Sequence, residues 1–157
     1  MKITDAICLA ASICGKLQPF ARDAVLLFSR IMIGWSFFLT GKGKLANLER
    51  TSGFFESLGI PAPGFHAGLV GGVEMIGGIL LLIGLLSRVA AVPLAFSMVV
   101  ALLTAHREEV FESLDGMVGE SPFPYLIASL VIIAFGPGRV ALDTAANHLL
   151  CKRTVHE

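Results

Sequence analysis

The chain has 157 residues, of which 55% are hydrophobic and 15% charged, and its twelve basic side chains are balanced by twelve acidic ones. Soluble domains carry about 25% charge, so this composition points away from water and toward a bilayer. A neutral chain with no basic stripe excludes nucleic acid as a partner, and the length is that of one domain.

Residues 1–23 read as an interfacial arm. The apolar run at 6–13 is too short to span, Asp5 and Lys16 bracket it, and it lacks the basic start and small-x-small site of a signal peptide. Pro19 is expected to close the arm, because the residue before a proline is pushed away from the helical region.

A hydrocarbon core about 30 Å thick takes about 20 apolar helical residues. On that measure the first span is predicted at 24–41, with Arg30 near its middle. The segment 42–63 is polar by contrast: Lys42, Lys44, Glu49, Arg50 and Glu56 alternate with Phe54, Phe55, Leu58 and Ile60. That mixture predicts a short amphipathic helix lying on the membrane or across the end of the bundle. The run GIPAPG at 59–64 is a turn that stops it.

The second span, 67–86, reads AGLVGGVEMIGGILLLIGLL and holds one charge, Glu74. Only Ser87 and Arg88 separate it from the third, 89–105, so the two form a tight transmembrane hairpin. Pro93 falls near the start of the third span, where its missing donor costs little. A charged loop follows at 106–121. The fourth span is predicted at 123–142, but its helix reaches only about Phe135 before Gly136-Pro137-Gly138 interrupts it, and a helical pattern resumes at 139–150. Such a break is tolerated at membrane depth only where protein or water covers the freed backbone groups. Residues 151–157 are a tail. The expected fold is therefore all-α: a left-handed four-helix integral membrane bundle over 24–150, with a Gly-Pro-Gly break in its last helix.

Lysine and arginine set the orientation. With the N-terminus inside, Lys2, Lys16, Arg22, Arg88, Arg139, Lys152 and Arg153 are cytoplasmic, against Lys42, Lys44, Arg50 and Arg107 outside. The positive-inside rule then places both termini in the cytoplasm.

Three residues are candidates for chemistry. Glu74 is a carboxylate at a depth where charge is expensive, and such groups face a bundle interior, a cavity or each other. Around it Gly71, Gly77 and Gly78 leave the helix face nearly bare, and Gly64, Gly68 and Gly72 form a second small-residue ridge. Two readings fit Glu74: a proton-handling or ligand-fixing carboxyl group, or a packing contact to another helix. Arg30 lies roughly 9 Å below the interface and Glu74 roughly 18 Å, at 1.5 Å per helical residue, so Arg30 is its candidate charge partner, the alternative being an arginine that snorkels to the cytoplasmic interface and pairs with nothing. Arg30, Gly34, Gly71, Glu74 and Gly78 are then the candidate lining of a cofactor pocket. His106 ends the third span, where a near-neutral imidazole would exchange protons with water. The plainer reading is a solvated helix end.

No metal motif is present. Cys8, Cys14 and Cys151 include no CxxC pair, and His148 and His156 are peripheral. Arg139 and Asp143, four residues apart, are expected to pair and hold the kink.

Taken together, Arg30 with Gly34 and the GKGK of 41–44, VEMIGGILLLIGLLSR at 73–88, and FGPGRVALD at 135–143 resemble the DoxX family of small four-helix bacterial membrane proteins. The resemblance covers about 25–143. It implies an inner-membrane protein that is a subunit or accessory of a quinone- or thiol-linked oxidoreductase system. A membrane quinone is then the expected carrier, since the chain lacks a thiol pair of its own. The expected partners are the bilayer, redox-complex subunits and, if the role is transport, a second copy of the chain docked through a small-residue face. A non-enzymatic role remains as the alternative, either small-solute or proton-coupled transport or assembly of a partner complex.

Overall fold

A computed structural model describes residues 3–144 and 146. Cys151, His148, His156, Lys152, Arg153 and the tail at 151–157 lie outside the described residues. All regular structure among the described residues is helical: α1 Ile3–Ala46, α2 Leu48–Ser57, α3 Pro63–Ile83, α4 Ser87–Thr104, α5 Arg107–Glu112, α6 Leu114–Gly119 and α7 Pro122–Phe135. Three segments are long and apolar enough to cross a membrane: Gly15–Ala46 within α1, then α3 and α4. The 14 residues of α7 rise only about 21 Å, short of a hydrocarbon core.

The first correction concerns the N-terminal arm. Pro19 does not end a segment; α1 runs through it without interruption. Proline removes one backbone hydrogen bond and strains one turn, and the strong helix formers on either side hold the rest. The first membrane helix is thus longer at both ends than 24–41.

The turn at 59–64 stops α2 as expected, with Gly59 and Ala62 at positive φ, and Pro63 starts α3 where its lack of a donor is harmless. At the far end α3 stops three residues sooner than the apolar run does. Gly84 adopts φ 73°, and its N–H and that of Leu85 turn back onto the carbonyls of Leu81 and Leu80 at 3.2 and 3.0 Å. This is the glycine-capped helix end that an L side chain would strain. The charged loop folds further than its sequence suggests, into α5 and α6, with Ser113 Oγ accepting the Gly116 N–H at 3.0 Å.

The long helices α1 and α3 lie antiparallel at backbone contact. Gly34 faces Gly78 and Gly41 faces Gly71, one heptad apart on each helix. A Cβ added to Gly78 would sit 2.6 Å from the Gly34 carbonyl, and one on Gly41 would sit 2.6 Å from that of Gly71. Four glycines therefore set the register of the pair, as small residues do between membrane helices. Helix α4 packs beside α3, where Leu94 fills the space over Gly77. Helix α7 packs on α4 and touches α1. The core draws on all four: Ile33 and Phe37 from α1, Leu81 from α3, Ala91, Leu94 and Met98 from α4, and Ile132 from α7. Around it Phe28, Trp35, Ile76, Phe96 and many other apolar side chains face outward, as a lipid-facing surface requires.

The ridge of Gly64, Gly68 and Gly72 is largely taken up within the chain. Ser52 and Leu48 of α2 lie 3.6 and 4.0 Å from where Cβ atoms on Gly64 and Gly68 would be, while Gly72 faces open space.

Candidate functional site

Glu74 is 1% exposed, and its partner is Lys44, not Arg30. The Lys44 ammonium donates to both carboxylate oxygens, at 2.6 Å to Oε1 and 2.5 Å to Oε2. The geometry follows from the helices. Side chains on a helix lean toward its N-terminus, so on two antiparallel helices Lys44 and Glu74 lean toward each other and meet at the level of Gly41 and Gly71. Lys44 Cβ lies 3.3 Å from where a Cβ on Gly71 would be, so glycine there clears the path of the lysine stem. Lys44 itself is 30% exposed. It therefore links the most buried carboxylate to the bundle's edge.

Arg30 serves a different node. It is 3% exposed and donates Nη1 to the Pro137 carbonyl at 2.9 Å and Nη2 to the Val140 carbonyl at 2.7 Å. The guanidinium fork thus satisfies two of the backbone acceptors freed by the Gly-Pro-Gly break, which is what a broken membrane helix needs. Gly136 and Gly138 make the break at φ 80° and 82°.

Asp143 completes this node in a way the sequence pattern does not show. Its carboxylate accepts the backbone N–H groups of Leu86 and Ser87 at 2.7 and 2.9 Å, and its own N–H donates to the Gly84 carbonyl at 2.9 Å. An acceptor from elsewhere in the chain therefore caps the start of α4, where four amide donors lack helical partners. The expected Arg139–Asp143 pair does not form. Arg139 Nε instead lies 3.4 Å from Asp23 of α1, and its N–H donates to the same carboxylate at 3.3 Å. The chain bends through 137–141, with Gly136 and Gly138 at positive φ, so Arg139 does not stand at a helical i,i+4 position.

The candidate pocket of Arg30, Gly34, Gly71, Glu74 and Gly78 is not a cavity. Gly34 and Gly78 are pressed against the opposing backbone, and a single methyl group already collides there. A quinone ring does not fit between these residues, so no chemistry is routed through one. A cleft of about 550 Å³ lies instead at the Gly-Pro-Gly end, between Arg22 and Asp23 of α1, Arg88 of α4, and 135–139.

His106 sits at the junction of α4 and α5, with Nδ1 2.5 Å from a Glu120 carboxylate oxygen. This contact ties the α5–α6 segment back to the bundle. Among the described residues no group of three or more His, Cys, Asp or Glu side chains comes together as a metal site.

Lys44 and Asp143 organise these nodes with partners that spacing along the chain does not reveal: Glu74 for Lys44, and the amides of Leu86 and Ser87, in place of the expected Arg139, for Asp143. The signal for Lys44 was its place beside the glycines of GKGK, with its stem directed back along the helix toward Glu74.

Comparison with known proteins identifies the family. The DoxX family model matches residues 25–107. The chain is 37% identical over 124 residues to the "Uncharacterized membrane protein Rv3486" of Mycobacterium tuberculosis, covering 73% of this chain and 76% of that one. It is 32% identical over 119 residues to the "Putative oxidoreductase CatD" of Bacillus subtilis, covering 74% and 83%, and 28% identical over 127 residues to the "Inner membrane protein YqjF" of Escherichia coli, covering 80% and 94%. No solved structure matches. The chain is a multi-pass integral membrane protein and belongs to the DoxX family.

Proposed function

We propose that this chain is an accessory subunit of a quinone- or thiol-linked oxidoreductase system in a bacterial inner membrane, built as a four-helix bundle with a broken last helix. The observation that carries the redox assignment is the 32% identity, over most of both chains, to the relative named "Putative oxidoreductase CatD". The accessory role rests on how the buried charges are spent. Both Glu74 oxygens are held by Lys44, and two guanidinium nitrogens of Arg30 are held by backbone carbonyls. These groups brace helices; the redox centre then belongs to a partner. An orientation with both termini in the cytoplasm fits the basic end formed by Arg22, Arg88 and Arg139.

Gentle detergent extraction, native electrophoresis and cross-linking of the tagged chain test this reading. The expected result is co-migration with a redox-active membrane partner, together with altered quinone- or thiol-dependent turnover in membranes of a deletion strain. A chain that migrates alone or as a homodimer, with turnover unchanged on deletion, overturns it. The transport reading draws on the buried Lys44–Glu74 pair, since ionisable pairs in membranes often mark proton pathways. Solute-driven proton uptake into proteoliposomes, lost in Glu74→Gln, would replace the accessory role with transport.

A further inference from the structure

The arginine-lined cavity at the Gly-Pro-Gly end borders the Arg30 and Asp143 nodes, sharing Pro137, Leu86 and Asp143 with them, but two of its arginines take no part in either. Arg22, Arg88 and Arg139 line it together with Asp23 and Asp143. The two carboxylates are already engaged, Asp143 by the amides of Leu86 and Ser87 and Asp23 by Arg139. Arg88 makes no ion pair among the described residues. Its guanidinium lies across the bare backbone of Gly136, with Nη2 3.2 Å from where a Cβ would stand. Among the described residues Arg22 makes only a long hydrogen bond, 3.4 Å, to the Phe135 carbonyl, and it sits 5.7 Å over that ring. The cavity thus offers two guanidinium groups without carboxylate partners to an anion.

Its surroundings say which anion. The 21 residues of α3 rise about 31 Å, the thickness of a hydrocarbon core, so the α3–α4 turn beside the cavity lies at the membrane boundary. Leu86, Val89 and Phe135 form an exposed apolar rim. Guanidinium donors behind an apolar rim at that depth match an amphiphile: oxyanion inward, hydrocarbon against the rim. We propose that this cavity binds the phosphate headgroup of an anionic phospholipid, gripped by Arg22 and Arg88. Arginine suits the task because its planar fork pairs two N–H groups with two phosphate oxygens, and basic pockets between membrane helices are a recurrent way to hold anionic lipids.

Native mass spectrometry of the full chain, equilibrated with an equimolar mixture of phosphatidylglycerol and phosphatidylcholine, tests the assignment. The wild type should retain phosphatidylglycerol in preference. Arg22→Gln and Arg88→Gln should each reduce that preference about five-fold, the effect of one basic residue near an anionic surface. Arg88→Lys should lose less than Arg88→Gln, and Arg107→Gln, on α5, should change nothing. Arg22 and Arg88 are exposed, so their variants should melt like the wild type in phosphatidylcholine alone. Equal retention of the two lipids, or Gln variants that behave like Arg107→Gln, overturns the proposal. Inorganic phosphate is the second probe. If it protects the protein in pure phosphatidylcholine as well as phosphatidylglycerol does, and loses that effect in Arg88→Gln, the ligand is a soluble phosphate and the lipid assignment falls.

Discussion

Lys44 and Glu74 stand 30 residues apart on antiparallel helices, and the lysine ammonium grips both oxygens of the carboxylate. Removing one member of a buried pair strands the other, at a cost of about 3 to 5 kcal/mol, whereas replacing both with apolar groups is often neutral. Lys44→Met should therefore lower the melting temperature in detergent by many degrees, and Lys44→Met with Glu74→Leu should recover most of the loss. Circular dichroism melts of the wild type, the two single variants and the double variant decide it. Additive losses would mean that the two side chains are not coupled.

The glycine contacts predict a sharp positional contrast. Leucine at Gly41 or Gly78 drives a side chain into the opposing backbone and should abolish the folded protein, measured as monodisperse yield by size exclusion. Leucine at Gly72, which faces open space, should be accepted. If Gly72→Leu folds but no longer co-purifies with a partner, that face is where the partner docks.

Arg30 should not be replaceable by lysine. A lysine ammonium is a point donor and cannot reproduce a fork reaching both Pro137 and Val140. Leaving one buried carbonyl without its donor costs about 1 to 3 kcal/mol, and the 136–140 segment should open more often. Limited trypsin digestion followed by mass spectrometry should show cleavage after Arg139 accelerated about ten-fold or more in Arg30→Lys. An unchanged rate would show that the break is held by other contacts.

Asp143 acts as a helix cap supplied from elsewhere in the chain, and loss of a cap costs about 1 kcal/mol. Asp143→Ala should speed hydrogen exchange at the amides of Leu86 and Ser87 several-fold while leaving the middle of α4 protected. Asp143→Asn, which keeps an acceptor oxygen, should fall between. Equal exchange in all three proteins would remove the capping role.

The membrane class, the long apolar segments, the amphipathic helix after the first span and the Gly-Pro-Gly interruption were all legible in the sequence, because each depends on local composition, helical period or backbone chemistry. The turn at 59–64 was legible for the same reason. The single helix through Pro19 was not, because one proline is a local penalty that a long run of helix formers outweighs. Which charges meet was beyond local reading altogether. Depth along the helices pointed to Arg30 as the partner of Glu74 and left Lys44 in the polar segment after the first span. The choice between them was made by the register of α1 against α3, which the Gly34/Gly78 and Gly41/Gly71 contacts impose. Asp143 likewise found the start of α4 rather than Arg139, because the bends after Gly136 remove the helical spacing on which an i,i+4 pair depends. The sequence by itself determined what kind of helices this chain forms and which of them are charged within the membrane; only their tertiary packing decided the partners, since pairing distances across helices depend on register and not on spacing along one chain.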